Sequence, residues 1–203
     1  MKKHKEILKN LNINKKWTLF LDRDGVINKK IDNDYVRNWE QFKFIEGSIE
    51  GLKILREIFG KIIIITNQRG VGRKLMTEQD LINIHENMKK VLEENGIIID
   101  GIYYCIHDHE TEHCECRKPK IGLALKALYY IPSIDFTKSV VCGDSLIDIN
   151  FGRKINALTV HINEKVEDCV NNNCVADLCF KSLLDFALLL KEIYQSHVLM
   201  KGW

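Results

Sequence analysis

Residues 17–28 read WTLFLDRDGVIN. The apolar run from Trp17 to Leu21 stops in the carboxylate of Asp22, the pattern of a buried strand whose end meets a polar environment. The chain then turns sharply. Asp22 and Asp24 stand two residues apart, and Gly25 lets the backbone pass close to a bound group. Of two such carboxylates, one can attack as a nucleophile while the other moves protons. Alone, an Asp-x-Asp-Gly also reads as an ordinary solvated turn, so the rest of the chain decides.

Outward from this stretch, strands and helices alternate. Lys61–Thr66 (KIIIIT) is β-branched without a helical period and is predicted as a strand that also ends in a polar residue. Ser48–Phe59 places Ile49, Leu52, Leu55 and Ile58 near helical spacing. A long amphipathic helix is predicted over Glu78–Asn95, with Leu81, Ile84, Met88 and Leu92 on one face. Thr77 and Asp80 stand at its N-cap and third position, and Gly96 lies just past its end. Further strands are expected at Asp100–Ile106, Ser139–Asp144, Ala157–Ile162 and near Ala176–Phe180. Helices are expected over Leu123–Tyr130, Ile147–Arg153 and Ser182–Tyr194. The alternation predicts an α/β fold, a Rossmann-like three-layer α/β/α sandwich with a mostly parallel central sheet. Ligands of such sheets bind beyond the carboxyl ends of the strands, and Asp22, Thr66 and Asp144 are the polar ends of three strand runs.

Three more clusters gather at that edge. Thr66-Asn67-Gln68-Arg69 offers a hydroxyl, amides and backbone N–H groups suited to phosphate oxygens. Arg117-Lys118-Pro119 supplies a lysine that can neutralise a transferring phosphoryl group and an arginine that can hold a second anion in bidentate fashion. In Gly143-Asp144-Ser145-Leu146-Ile147-Asp148, Asp144 can complete an oxygen-rich magnesium site with Asp22. Asp148 can brace the loop or a neighbouring cation. Each cluster alone has a plain alternative: a polar loop, surface charge or a helix cap.

Cys105-Ile106-His107 and Cys114-Glu115-Cys116 bring three thiolates and an imidazole within a dozen residues. Soft ligands in that number suit tetrahedral Zn²⁺ with no position left for water, hence a structural ion. His109 and His113 are rival ligands to His107. Arg117 and Lys118 follow directly, so zinc would hold those cations in place.

The four clusters, in this order and strand context, resemble the haloacid dehalogenase superfamily of phosphatases over roughly Trp17 to Ile162. The resemblance implies that Asp22 is the nucleophile and that Asp24 protonates the leaving oxygen and then activates water. It implies that Thr66 and Lys118 hold the phosphoryl group. Mg²⁺ would be bound by the carboxylates of Asp22 and Asp144 and the main-chain carbonyl of Asp24. The C-x-H…C-x-C-R-K-P element is similar to the D-glycero-D-manno-heptose 1,7-bisphosphate 7-phosphatases and the related histidinol-phosphate phosphatases, which implies His107 as the zinc ligand and no large cap domain. Asn67, Gln68, Arg69, Arg117 and Ser145 are the implied substrate contacts, Arg117 on the phosphate that is not cleaved. The chain departs from that pattern at Arg69, at Lys74 (a frequent glycine), at Ser145 (a lysine in the heptose enzymes) and in a longer Lys29–Val36 segment. The implied activity is removal of the 7-phosphate of the heptose bisphosphate, supplying activated heptose for surface glycans such as lipopolysaccharide. Histidinol phosphate and a polynucleotide 3′-phosphate are alternative substrates.

Bulk properties agree with a globular enzyme. The chain has 203 residues, 45% hydrophobic, and a formal net charge of +2, too mild to predict a nucleic-acid or membrane partner. A small phosphorylated sugar is the expected partner, and a monomer the expected state. The basic start is not followed by an apolar segment, and seven cysteines without a secretion signal point to reduced thiols or metal ligands in the cytoplasm. Residues 1–15 are expected as a polar lead-in with room for one helical turn. One domain is expected over 16–195, with its zinc loop at 105–118, followed by a tail over 196–203. Cys142 reads as core, His85 as a structural or surface histidine, and Cys169, Cys174 and Cys179 as too widely spaced for a second metal site.

Overall fold

The structure, a computed structural model, describes residues 2–165 and 176–201. Six strands form one sheet: β1 (Thr18–Leu21), β2 (Lys61–Asn67), β3 (Gly101–Cys105), β4 (Ser139–Gly143), β5 (Leu158–Ile162) and β6 (Leu178–Phe180), in the order β3-β2-β1-β4-β5-β6. All five pairings are parallel. The helices are α1 (Lys2–Leu11), α2 (Ser48–Ile58), the short α3 (Arg69–Gly72), α4 (Glu78–Glu94), α5 (Gly122–Tyr130), α6 (Leu146–Lys154) and α7 (Leu183–Lys201).

The strands read as unbroken apolar runs because both sheet faces are covered. Successive side chains point to opposite faces. Leu19, Leu21, Ile62, Ile64, Val140 and Cys142 join a core under α1, α2, α4 and α7, while Phe20, Ile63, Ile65 and Val141 join one under α5 and α6. The expected capping box at α4 is present: Asp80 N–H donates to Thr77 Oγ1 and Thr77 N–H to Asp80 Oδ2.

Three features depart from the expectations. The lead-in is a helix of 10 residues whose Leu8 is buried against the sheet core and whose Lys5 pairs with Glu192. The last helix continues to Lys201. Cys179 is disulfide-bonded and not a free thiol; Cys169, Cys174 and the last two residues of the tail lie outside the described residues. Among the described residues no helix is long and apolar enough to cross a membrane, and no separate cap domain stands over the strand ends.

The strand order runs 3-2-1 to one side and 4-5-6 to the other, so the direction of winding changes between β1 and β4. A crevice opens at such a switch point beyond the carboxyl ends. The register pairs Leu21 with both Ile64 and Cys142 and so sets Asp22 between the ends of β2 and β4. Its N–H donates to the Cys142 carbonyl at 2.9 Å.

Candidate active site

A cleft of about 250 Å³ occupies this point, lined among others by Asp22, Asp24, Lys30, Thr66, Lys118 and Asp148. Asp22 follows β1, Thr66 lies in β2 and Asp144 follows β4, while Lys118 arrives from the long loop after β3. That loop is pinned by Asn67. The Asn67 amide donates to the Lys118 carbonyl at 3.1 Å and its oxygen accepts from the Lys118 N–H at 3.0 Å.

Lys118 is buried, with its ammonium 3.1 Å from Asp22 Oδ1 and 2.5 Å from Asp148 Oδ1. Burial opposes its charge, but the carboxylates of Asp148 and Asp22 outweigh this and raise its pKa. Burial pushes the Asp22 carboxyl up to about 7 against the pull of Lys118, with Asp148, Asp24 and Asp144 adding to the rise. Burial would also raise Asp24. Arg23 and hydrogen bonds from Asn28, Arg23 and Gln68 overcome it and hold Asp24 below its usual value. Those bonds run from Asn28 Nδ2 at 2.9 Å, Gln68 Nε2 at 2.7 Å and Arg23 Nη2, 2.9 Å from each carboxylate oxygen. Two carboxylates two residues apart are thus held in different environments, one titrating near neutrality and one held ionised.

Carboxylate oxygens of Asp22, Asp144 and Asp148 lie within 4.8 Å of one another. Asp144 Oδ2 pairs with Lys30, whereas its Oδ1 is buried without a hydrogen-bond partner. A hard oxygen donor set with an orphaned buried oxygen fits a divalent cation such as Mg²⁺. Asp148, read from sequence as a brace, is both: it also caps α6, accepting from Ser145 Oγ at 2.5 Å. Gly25 has φ +86°, and a Cβ there would collide with the Asp144 carboxylate, so glycine is required twice over.

The four expected zinc ligands, Cys105, His107, Cys114 and Cys116, come together. Cys105 Sγ lies 3.7 Å from Cys114 Sγ and 3.5 Å from His107 Nδ1, which is 3.2 Å from Cys116 Sγ. A zinc tetrahedron with bonds of about 2.3 Å to sulfur and about 2.0 Å to nitrogen has edges of roughly 3.5 Å between nitrogen and sulfur and about 3.8 Å between sulfurs; the four residues lie close to these spacings and so suit Zn²⁺. His107 belongs to this cluster, and His109 and His113 do not.

Of the expected substrate contacts, Asn67, Gln68, Arg117 and Ser145 line the cleft and Arg69 does not. Arg69 is drawn toward the zinc loop instead, its Nε 2.6 Å from Asp108 and its Nη2 2.5 Å from Glu110. The Gln68 amide is spent on Asp24 and Thr66, and the Ser145 hydroxyl on Asp148. Arg117 Nη1 is buried without a partner, leaving it available to an anion. Lys30, Ile31, Asp34, Tyr35 and Val36 also line the cleft; no local signal in their segment marks them, because only the fold brings it over β1. Lys74 holds φ +56°, a left-handed conformation that glycine adopts without strain.

The profile of the family described as polynucleotide kinase 3 phosphatase matches residues 18–171. The chain belongs to this family. Similar proteins carry the name of a specific sugar-phosphate activity. A D-glycero-alpha-D-manno-heptose-1,7-bisphosphate 7-phosphatase of Mycobacterium tuberculosis is 41% identical over 85% of this chain and 90% of its own length. A D-glycero-beta-D-manno-heptose-1,7-bisphosphate 7-phosphatase of Haemophilus influenzae is 36% identical over 86% and 97%. Among solved structures, the D,D-heptose 1,7-bisphosphate phosphatase of B. bronchiseptica, complexed with magnesium and phosphate, superposes with a TM-score of 0.75 at 22% identity. That match covers 92% of this chain and 99% of the other. It shares the haloacid dehalogenase-type fold.

Proposed function

We propose that the protein is a Mg²⁺-dependent phosphatase that carries the phosphoryl group on Asp22 and removes the 7-phosphate of D-glycero-D-manno-heptose 1,7-bisphosphate. The observation that carries this reading is the convergence of Asp22, Asp24, Thr66 and Lys118 on one switch-point cleft, with Asp144 clustered beside Asp22 and Asp148. It joins a sequence shared with heptose bisphosphatases over most of both chains.

In this reading Asp22 attacks phosphorus, forming an aspartyl phosphate as the ester bond breaks, and Asp24 gives its proton to the leaving oxygen. Water then attacks phosphorus, its proton returns to Asp24, and the acyl-phosphate bond breaks to release phosphate and restore Asp22. Lys118 and the Thr66 hydroxyl hold the phosphoryl oxygens. Asp24 is ionised at rest. A phosphate dianion seated beside Lys118 adds negative charge next to it and favours the protonated form needed for the first step. Mg²⁺ would be held by the carboxylates of Asp22 and Asp144 and the main-chain carbonyl of Asp24; it would supply charge neutralisation and favour an ionised Asp22. Zn²⁺ would be held by Cys105, His107, Cys114 and Cys116 and would fix the loop that presents Arg117, whose unpartnered Nη1 suits the phosphate that remains. The products are a sugar monophosphate and phosphate, as required for a step toward an activated heptose of surface glycans.

The test is phosphate release with Mg²⁺ from both anomers of the heptose bisphosphate, from histidinol phosphate and from a 3′-phosphorylated oligonucleotide. A preference in kcat/KM for a heptose bisphosphate is expected, with Asp22→Asn folded and slower by roughly 10⁴-fold or more. A preference for the oligonucleotide would move the substrate assignment to the activity for which the family is described.

A further inference from the structure

One buried titratable side chain takes no part in the chemistry above. His85 lies on α4, well away from the strand ends in sequence, and is only 5% exposed. Its Nε2 is 3.1 Å from Nη1 of Arg23, a guanidinium that is itself fully buried. The other terminal nitrogen of Arg23 donates to both oxygens of Asp24. A single chain of contacts therefore runs from a core helix, through an arginine between the two catalytic carboxylates, to the proton-transfer group.

We propose that His85 is a positioning residue for Asp24, acting through Arg23. This rests on the aspartyl-phosphate reading above.

The physical case starts with Arg23. Its backbone is fixed by the turn: its N–H donates to Asp22 Oδ1 at 2.7 Å and its carbonyl accepts from Ile27 and Asn28. Its side chain points into the core, with the Phe42 ring 6.0 Å from the guanidinium carbon and Nε without a partner. A buried guanidinium of this kind needs an acceptor for each remaining N–H, because an unpaired buried donor costs about 1–3 kcal/mol. Among the described residues the side-chain acceptors it has are Asp24 on one side and His85 on the other. His85 thus sets the rotation of the guanidinium plane, and the plane sets the direction of the Asp24 carboxylate.

The arrangement requires a histidine that accepts, hence a neutral ring with its proton on Nδ1. Burial, and then the Arg23 charge, lower the His85 pKa to about 3 against the pull of Asp24, so the ring stays neutral at working pH. The Tyr104 ring packs against His85 at 5.4 Å, and Tyr104 in turn donates to Glu78 at 3.0 Å, which fixes the imidazole between β3 and α4. A purely structural histidine would need none of this alignment toward Asp24.

The experiment exploits what Asp24 does. An alkyl leaving group needs a proton in the first step, whereas p-nitrophenolate departs without one. His85→Leu removes the acceptor and His85→Gln retains one. Expected for His85→Leu is a loss of about tenfold in kcat/KM on the heptose bisphosphate, a fraction of the span of general acid catalysis. The loss on p-nitrophenyl phosphate should be under about twofold, with rescue in His85→Gln. In an Asp24→Ala background, His85→Leu should add no further loss on the heptose bisphosphate. Equal losses on the two substrates, no loss on either, or additive losses with Asp24→Ala would overturn the proposal. Should His85→Leu fail to fold, His85→Gln against the shorter His85→Asn gives the same contrast, and equal behaviour of those two would overturn it. Failure of the underlying reading is distinct. An active Asp22→Asn with a selective His85 effect would remove the covalent route and leave the positioning role standing.

Discussion

Asp148 joins three tasks in one buried side chain: it caps α6 through Ser145, neutralises Lys118 at 2.5 Å and stands with Asp22 and Asp144 in the cation-sized cluster. Breaking a buried ion pair from one side leaves an uncompensated charge, typically costing about 3–5 kcal/mol. Asp148→Asn should therefore lower stability in urea by about 3 kcal/mol. It should also lower kcat, because Lys118 is left to Asp22 alone. An unchanged unfolding midpoint would show that Lys118 is compensated elsewhere. At this scale the sequence reveals which residues can do chemistry better than whom they touch. Asp22, Asp24, Thr66, Lys118 and Asp144 are legible because each ends an apolar run or stands in a short motif. Arg69 was expected to meet substrate. Its actual partners, Asp108 and Glu110, lie across a loop whose path no local pattern discloses. His85 fell to the same limit: the sequence reads it as a structural or surface histidine and says nothing about Arg23.

The zinc loop shows how an element without its own core is held. Its Cys/His cluster brings its ends together, Arg69 ties Asp108 and Glu110 to the start of α3, and Asn67 clamps the Lys118 backbone. Zinc removal should impair catalysis with every catalytic group still present. With a zinc-selective chelator and excess Mg²⁺, KM for the bisphosphate should rise by roughly tenfold as Arg117 loosens, and Arg69→Ala should deepen the loss. A folded Cys114→Ser variant with full activity would show that the clamps suffice without the ion. That three thiols and a histidine cluster here was legible from spacing, because four soft donors within a dozen residues have few other uses. Which of three histidines completes it was left open by the residues themselves, and the family pattern favoured His107. Only the geometry brings His107 Nδ1 to the three sulfurs.

Across the whole molecule, two buried groups tilt the pH dependence of stability in opposite senses. Asp22 titrates near 7 when folded, above its ordinary value, so between about pH 4 and 7 the folded state holds the extra proton and stability falls as pH rises. His85 titrates near 3 when folded, below its ordinary value, so stability falls as pH drops below about 6.5. The two offset each other in mild acid. The Asp22→Asn variant should accordingly lose Tm more steeply than wild type between pH 6.5 and 4.5. Mg²⁺ should raise Tm more at pH 8 than at pH 5.5, since it meets an already ionised Asp22 only at the higher pH. An equal Mg²⁺ shift at both values would count against Asp22 as a ligand. The layered α/β plan was legible because period-2 and period-3.6 patterns are local. The order β3-β2-β1-β4-β5-β6 was not, because strand partnership is decided by contacts distant along the chain. That order has a consequence for biogenesis. β1, carrying the nucleophile, leaves the ribosome early, but one of its two neighbours is β4, registered Thr18 to Ser139. Until most of the chain has been synthesised, β1 is an open apolar edge, the kind of surface that recruits holding chaperones or seeds aggregation. A stalled nascent chain ending before residue 139 should therefore be protease-sensitive at β1, and one extending past β4 protected.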